Sequence, residues 1–167
     1  MTQRIDYKKV GPDAFDAMLG IEACVHRSEL QPSLLELVKT RVSQINGCAY
    51  CLDMHTRDAR VAGETEQRLY LLSAWREAPV YSDRERAALA WAEAVTQIST
   101  SHVTDDLYVE VRRHFDEKEL VDLTLAVIGI NGWNRLAIAF RTELPPGTPG
   151  VGGHGVADHP AAVAKGN

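Results

Sequence analysis

Helix-forming patterns recur from one end of this chain to the other, and no segment alternates apolar and polar residues as a half-buried strand does. Pro12 to about Arg27 reads as a first helix, with Phe15, Met18, Leu19 and Glu22 at helical spacing. Gln31-Pro32-Ser33 opens a second. There Ser33 and Glu36 stand at capping-box spacing, and Leu34, Leu37, Val38, Val42 and Ile45 form one apolar stripe. Asn46-Gly47 ends it, since both residues tolerate the backbone geometry of a helix terminus. A third helix starts near Cys48 and stops at Gly63. A short fourth follows Thr65, carries Leu69, Leu72 and Trp75, and ends at Ala78-Pro79. Ser82 and Glu85 open a fifth with Leu89, Trp91, Ala92, Val95 and Ile98. Thr104 begins a short sixth through Tyr108 and Val111. Asp116 begins the last, with Leu120, Leu123, Val127, Ile128, Leu136 and Phe140. The expected architecture is all-α, a compact single domain over residues 1–144 built from about six or seven helices. From Pro145 onward Gly, Pro and Ala dominate, so residues 145–167 read as an extended or flexible tail.

Bulk properties narrow the function classes. The 167 residues suffice for one well-filled core. The net charge of −5, with no basic cluster interleaved with aromatics, argues against nucleic acid and anionic membrane as partners. The N-terminal MTQRIDYKKV lacks the apolar core of a signal peptide, and no run approaches the roughly 18 apolar residues of a membrane span. A cytoplasmic location is the expectation. Three cysteines are too few for a disulfide scaffold, and a close pair in a reducing compartment points to catalysis or metal binding.

Two of those cysteines fall in NGCAYCLDMH, residues 46–55, together with a histidine. At about 100° per residue, Cys48, Cys51 and His55 share one face of the third helix. Three chemistries suit them. A zinc site would need a fourth ligand, for which Cys24 or His26 is the nearest in sequence, and neither a second CxxC nor an HxxxH is present. Haem attachment is excluded, because Leu52 occupies the position that must be histidine. A redox pair fits well: thiols in the first turn of a helix meet its positive end, which favours the thiolate, and His55 can take or deliver a proton near neutrality. Buried structural thiols with a satisfied core histidine are the remaining alternative.

The stretch from Glu36 to His55 resembles the active-site signature of the AhpD-like alkylhydroperoxidases, within the carboxymuconolactone decarboxylase superfamily. That signature is a glutamate, a gap, CxxC, and a histidine four residues after the second cysteine; here they are Glu36, Cys48, Cys51 and His55. ELVKTRVSQINGCAYC, RERAALAWAEAVT and INGWNRLAIA are similar to the single-domain members, and the resemblance covers roughly residues 12–142. It implies an AhpD-like helical fold and a peroxidase cycle. Cys51 would be the attacking thiolate and would become a sulfenic acid. Cys48 would supply a proton and resolve it as a Cys48–Cys51 disulfide, and the two roles stay interchangeable at this level. Glu36 and His55 would form a proton relay. The cycle needs no cofactor beyond that redox-active disulfide and an external dithiol reductant, a thioredoxin-like or lipoyl-bearing donor. Lactone decarboxylases of the superfamily do not rely on a CxxC pair. Where the well-known alkyl hydroperoxidase D proteins carry a histidine between the cysteines, this chain has Tyr50, an accessory residue able to hydrogen-bond a thiolate or peroxide. Periodicity puts Glu36 opposite the apolar stripe, beside Thr40 and Ser43, as a solvated or capping residue. The signature instead demands that another helix or subunit cover it next to the cysteines.

Other residues attract weaker readings. Cys24 and His26 suggest packing and an exposed histidine. Asn131, Trp133, Asn134 and Arg135 interrupt an otherwise apolar helix, as a polar seam at a helix contact or as the edge of a peroxide pocket. Trp75 and Trp91 read as core or interface anchors, and Arg84 and Arg86 as surface pairs with acidic neighbours. His154 and His159 stand in the tail without metal-site spacing. The abundance of apolar helix faces, with the family resemblance, predicts a homo-oligomer, a trimer or hexamer.

Overall fold

A computed structural model of the chain describes residues 2–145. The regular structure of the described residues is helical: α1 (Tyr7–Val10), α2 (Pro12–His26), α3 (Pro32–Asn46), α4 (Ala49–Val61), α5 (Glu66–Leu71), a 3-10 turn (Leu72–Ala74), α6 (Asp83–Thr96), α7 (Asp105–Arg112) and α8 (Glu117–Phe140). No strand occurs among them. The tail expected beyond Pro145, with His154 and His159, lies outside the described residues.

Most helix starts carry the chemistry expected of them. Ser82–Glu85 and Asp116–Glu119 form reciprocal capping boxes at α6 and α8. Thr65 and Thr104 cap α5 and α7 through side-chain oxygens, each closing one of the free N–H groups of the first turn. Two expectations fail. Ser33 and Glu36 form no capping box: Gln31 is the N-cap of α3, Pro32 fills its first position, and Glu36 turns to α4 instead. The helix after Thr65 also stops early, tightening at Leu72–Ala74 before Pro79 is reached. α1, too short for a periodic signature, is additional.

α3 is the axle of the bundle, packed against α4, α6 and α8. Its Leu34, Leu35, Val38 and Val42 enter the main core with Trp91, Val111, Phe115, Leu123, Val127 and Ile130, while Leu37 joins a second cluster with Leu72, Trp75, Tyr81 and Leu89. Trp75 and Trp91 anchor these clusters, their indole N–H groups donating to Glu93 and Thr124. α2 lies across α8 at two glycines: a Cβ on Gly132 would sit 2.7 Å from the Met18 methyl, and one on Gly129 3.1 Å from Ile21. Among the described residues, α8 is the one helix long and apolar enough to cross a membrane, at mean hydropathy 1.3. Here it packs against α2, α3 and α6, and its Asn131 and Asn134 bond to other helices. Of the two arginines expected as surface pairs, Arg84 pairs with Glu119 and stacks on Phe115, whereas Arg86 donates to the backbone carbonyls of Arg76, Ala78 and Tyr81.

A buried ion pair ties α2 to α3. Lys39 Nζ meets Glu22 Oε2 at 2.8 Å, with side chains only 3% and 13% exposed, and Trp133 Nε1 donates to the other Glu22 oxygen at 3.0 Å. Burial alone would raise the Glu22 pKa, but the Lys39 ammonium beside it outweighs that and holds the carboxyl below its usual 4.5. A lowered folded value means that Glu22 adds stability above about pH 4.5, lost as pH falls through the folded pKa. Lys39→Met strands a buried carboxylate and is expected to cost about 3 kcal/mol in urea unfolding at pH 7. Glu22→Gln/Lys39→Met should recover most of that loss. Equal losses in the single and double variants would show that the ion pair is not what holds α2 to α3.

Candidate active site

The site grows from the turn between α3 and α4. Gly47 adopts φ +69°, the left-handed region in which a side chain is strained, and its N–H closes α3 on the Ser43 and Gln44 carbonyls. The chain thus reverses in a single residue, and Cys48, in extended geometry, becomes the N-cap of α4. Its sulfur accepts the Cys51 backbone N–H at 3.4 Å, the task an oxygen usually performs at this position. One turn on, the Cys51 sulfur stands 2.6 Å from that of Cys48, and both residues are 1% exposed. Small side-chain rotations would join them.

This short reversal lays α4 back along α3. Glu36 sits about 16 Å before Gly47 and His55 about 12 Å after it, at about 1.5 Å rise per residue, so the two meet side by side. His55 Nδ1 and Glu36 Oε2 are 2.8 Å apart, with His55 buried and Glu36 16% exposed. The stripe that seemed to leave Glu36 in water is only one of two packed faces, since Lys39, Thr40 and Ser43 are buried as well. The structure therefore joins the four residues of the signature in two pairs, Cys48 with Cys51 and Glu36 with His55.

Electrostatics separates the two thiols. Cys48 is lowered to about 7, chiefly because it accepts a hydrogen bond from the Cys51 thiol, helped by backbone N–H groups and the Asn134 amide. Cys51 is raised: it gives that hydrogen bond to its neighbour, is buried, and faces the Cys48 charge. One proton shared by the pair thus rests on Cys51. Tyr50 is half-buried against the main core, and burial followed by the nearby Cys51 pushes its phenol up; burial chiefly raises Tyr7 of α1 as well, with small additions from Tyr50 and the thiols.

Residues the sequence reading assigned no chemistry also border the site. Glu22 and Lys39 lie near His55, and a charged residue on the apolar face of the first helix was the available signal. Asn131 and Asn134 do form a seam, joining α8 to Asn46 and Ser43 of α3 and Thr96 of α6. The Asn134 amide also favours negative charge on both sulfurs. Trp133 turns away toward Glu22 and the Phe15 ring, and Arg135 is exposed. Neither Cys24, exposed beside Arg27, nor His26 joins the cysteine pair. Among the described residues, the cluster with metal-ligand geometry is Glu36, His55 and Asp58, whose donor atoms lie within 4.8 Å of one another.

Comparison with known proteins bears on the family and the fold. The profile of the carboxymuconolactone decarboxylase family matches residues 12–94. The uncharacterized Bacillus subtilis protein YdfG is 48% identical over 140 residues, covering 84% of this chain and 95% of its own. A solved Agrobacterium tumefaciens protein of unknown function, a candidate AhpD antioxidant-defence protein, superposes with TM-score 0.83 at 44% identity, over 86% of this chain and 99% of that one. The debrominase Bmp8 shares the fold at TM-score 0.73 and 21% identity, over 83% of this chain and 74% of its own. A family match that includes the CxxC pair, with the close relatives in sequence and fold, makes this chain a member of the carboxymuconolactone decarboxylase family, in its AhpD-like group.

Proposed function

We propose that the protein is a cysteine-dependent hydroperoxidase working through a Cys48–Cys51 thiol–disulfide cycle. The observation that carries this reading is the sulfur pair itself: two thiols 2.6 Å apart at a helix N-terminus, one of them lowered to about 7, beside a His–Glu dyad. Cys51 has two proton acceptors at hand, the Cys48 thiolate and, one turn along α4, His55 backed by Glu36. Deprotonated, its sulfur attacks the terminal oxygen of a hydroperoxide. The O–O bond breaks, the leaving alkoxide takes up a proton to become an alcohol, and Cys51 becomes a sulfenic acid. Cys48 then attacks that sulfur, a disulfide forms, and water leaves. An external dithiol, thioredoxin-like or lipoyl-bearing, returns two electrons and two protons and is itself oxidised to a disulfide. Tyr50 stands close enough in charge terms to act as an accessory donor.

The lowered pKa of Cys48 favours a second assignment, in which Cys48 attacks and Cys51 resolves. The Agrobacterium relative supports an antioxidant role, whereas the debrominase shows that the fold also serves other chemistry. Intact mass after one equivalent of an organic hydroperoxide separates these readings. Wild type is expected to lose two hydrogens, Cys48→Ser to gain one oxygen, and Cys51→Ser to stay unchanged. The mirror pattern transfers attack to Cys48, and a wild type that remains reduced overturns the peroxidase.

Because Cys48 is the lowered group, thiolate accumulates as pH rises through about 7, well below the 9.0 of an ordinary thiol. Alkylation of the reduced protein should follow that midpoint. Glu36→Gln, which deprives His55 of its carboxylate, should lower kcat/KM for hydroperoxide about 100-fold. Unchanged kcat/KM would remove Glu36 from the relay.

We also place the protein in a homo-oligomer, a trimer or hexamer. Val121 and Ile128 stand on one side of α8 at 67% and 51% exposure, around the half-buried Leu125. Light scattering should return a multiple of the 18.4 kDa chain mass, and a mass of one chain would refute the assembly.

A further inference from the structure

His55 and Asp58 stand three residues apart on α4, so the helix presents their side chains on one face. The reversal at Gly47 brings Glu36 of α3 against that face, and ligating atoms of all three residues lie within 4.8 Å of one another. Two of them, His55 Nδ1 and Glu36 Oε2, are 2.8 Å apart. Donors held about 2.1 Å from one ion stand about 3.0–3.4 Å from each other in octahedral or tetrahedral geometry, so movements of about 1 Å turn this trio into a coordination shell. The donor set also has a chemistry. With the imidazole neutral, two carboxylates supply the two negative charges that one divalent cation balances. A ring nitrogen disfavours Mg²⁺ and Ca²⁺, which take oxygen ligands, and suits Zn²⁺ and the metals near it. Three protein ligands leave a further position to water, as open zinc sites do. His55 is 2% exposed, whereas Glu36 and Asp58 reach partly into solvent, so the carboxylates form the entrance and the ring the floor. The cluster holds neither sulfur of the cysteine pair.

We propose that Glu36, His55 and Asp58 form a binding site for a divalent transition-metal ion of the zinc class, and that the ion acts as a brake on the thiol–disulfide cycle. The site stands on the three side chains alone, and the brake rests on the hydroperoxidase reading. A bound ion takes the imidazole and the carboxylate that backs it, replacing their 2.8 Å hydrogen bond with two metal–ligand bonds. One ring nitrogen then holds the ion and the other the hydrogen, so His55 has no lone pair for the Cys51 proton. Removing the ion restores the dyad. Asp58 takes no part in the cycle, and it is the residue that makes a metal site of a proton relay.

The test of the site is calorimetry with Zn²⁺ alone on the full chain carrying Cys48→Ser and Cys51→Ser, so that no thiolate competes, with and without Asp58→Asn. One Zn²⁺ per chain is expected, and Asp58→Asn should weaken its binding at least about tenfold, since losing even an outer-shell partner of a metal costs about 10- to 100-fold. No binding, or binding that Asp58→Asn leaves unchanged, overturns the site. If the serine background does not fold, Co²⁺ alone on the reduced wild-type chain decides. Visible bands that Asp58→Asn weakens support the site, and a sulfur-to-cobalt spectrum that Asp58→Asn leaves unchanged refutes it. The brake is read from disulfide formation in the reduced wild type after an organic hydroperoxide, with and without bound Mn²⁺, an ion that prefers carboxylate to thiolate. About 100-fold slowing is expected from loss of the relay. An unchanged rate with Mn²⁺ bound overturns the brake. A wild type inert to hydroperoxide defeats the peroxidase reading and the brake with it, whereas the calorimetry decides the site independently.

Discussion

The left-handed turn at Gly47 is the constraint on which the site depends. With φ +69° it ends α3, frees the next residue to cap α4, and reverses the chain within one position. Cys48 becomes an N-cap because α4 starts there. Cys51 meets it because a helix brings i and i+3 together, and His55 meets Glu36 because the reversal makes α3 and α4 antiparallel neighbours. A longer loop would leave the same four residues without a common address.

Around that turn, α3 is packed on nearly every side, and three of its polar side chains are answered from another helix. Lys39 finds Glu22 of α2, Glu36 finds His55 of α4, and Ser43 finds Asn134 of α8. These contacts stand in one continuous low-dielectric region with the thiols, where hydrogen bonds and charges act strongly and a proton's position is sharply defined. The network that holds α2 and α8 against α3 is also the surrounding that decides where a negative charge rests.

Much of the architecture was legible in the chain. The capping boxes at Ser82 and Asp116 and the threonine caps at Thr65 and Thr104 are local, needing only residues three positions apart, and each formed as its spacing implied. The Ser33–Glu36 box had the same spacing and did not form, because a buried partner on α4 takes the glutamate and a proline-led start supplies the helix end without it. Periodicity likewise misjudged Glu36, Thr40 and Ser43. A hydrophobic stripe identifies one buried face, and carries no information about a second face buried through polar contacts.

By itself, then, the sequence determined the all-α class, the positions of most helix ends, and the presence of two cysteines, a histidine and a glutamate at spacings that a helix and a turn convert into proximity. Those are short-range properties, encoded in dihedral preferences and in the 3.6-residue period. Tertiary structure alone decided that Glu36 is covered, that Glu22 and Lys39 neutralise each other beside His55, and that Asn134 is buried against Asn46 and Ser43. It also decided which thiol keeps the proton. Proton affinity is a sum over everything within several ångströms, and neighbours drawn from α2, α3, α4 and α8 have no fixed separation along the chain.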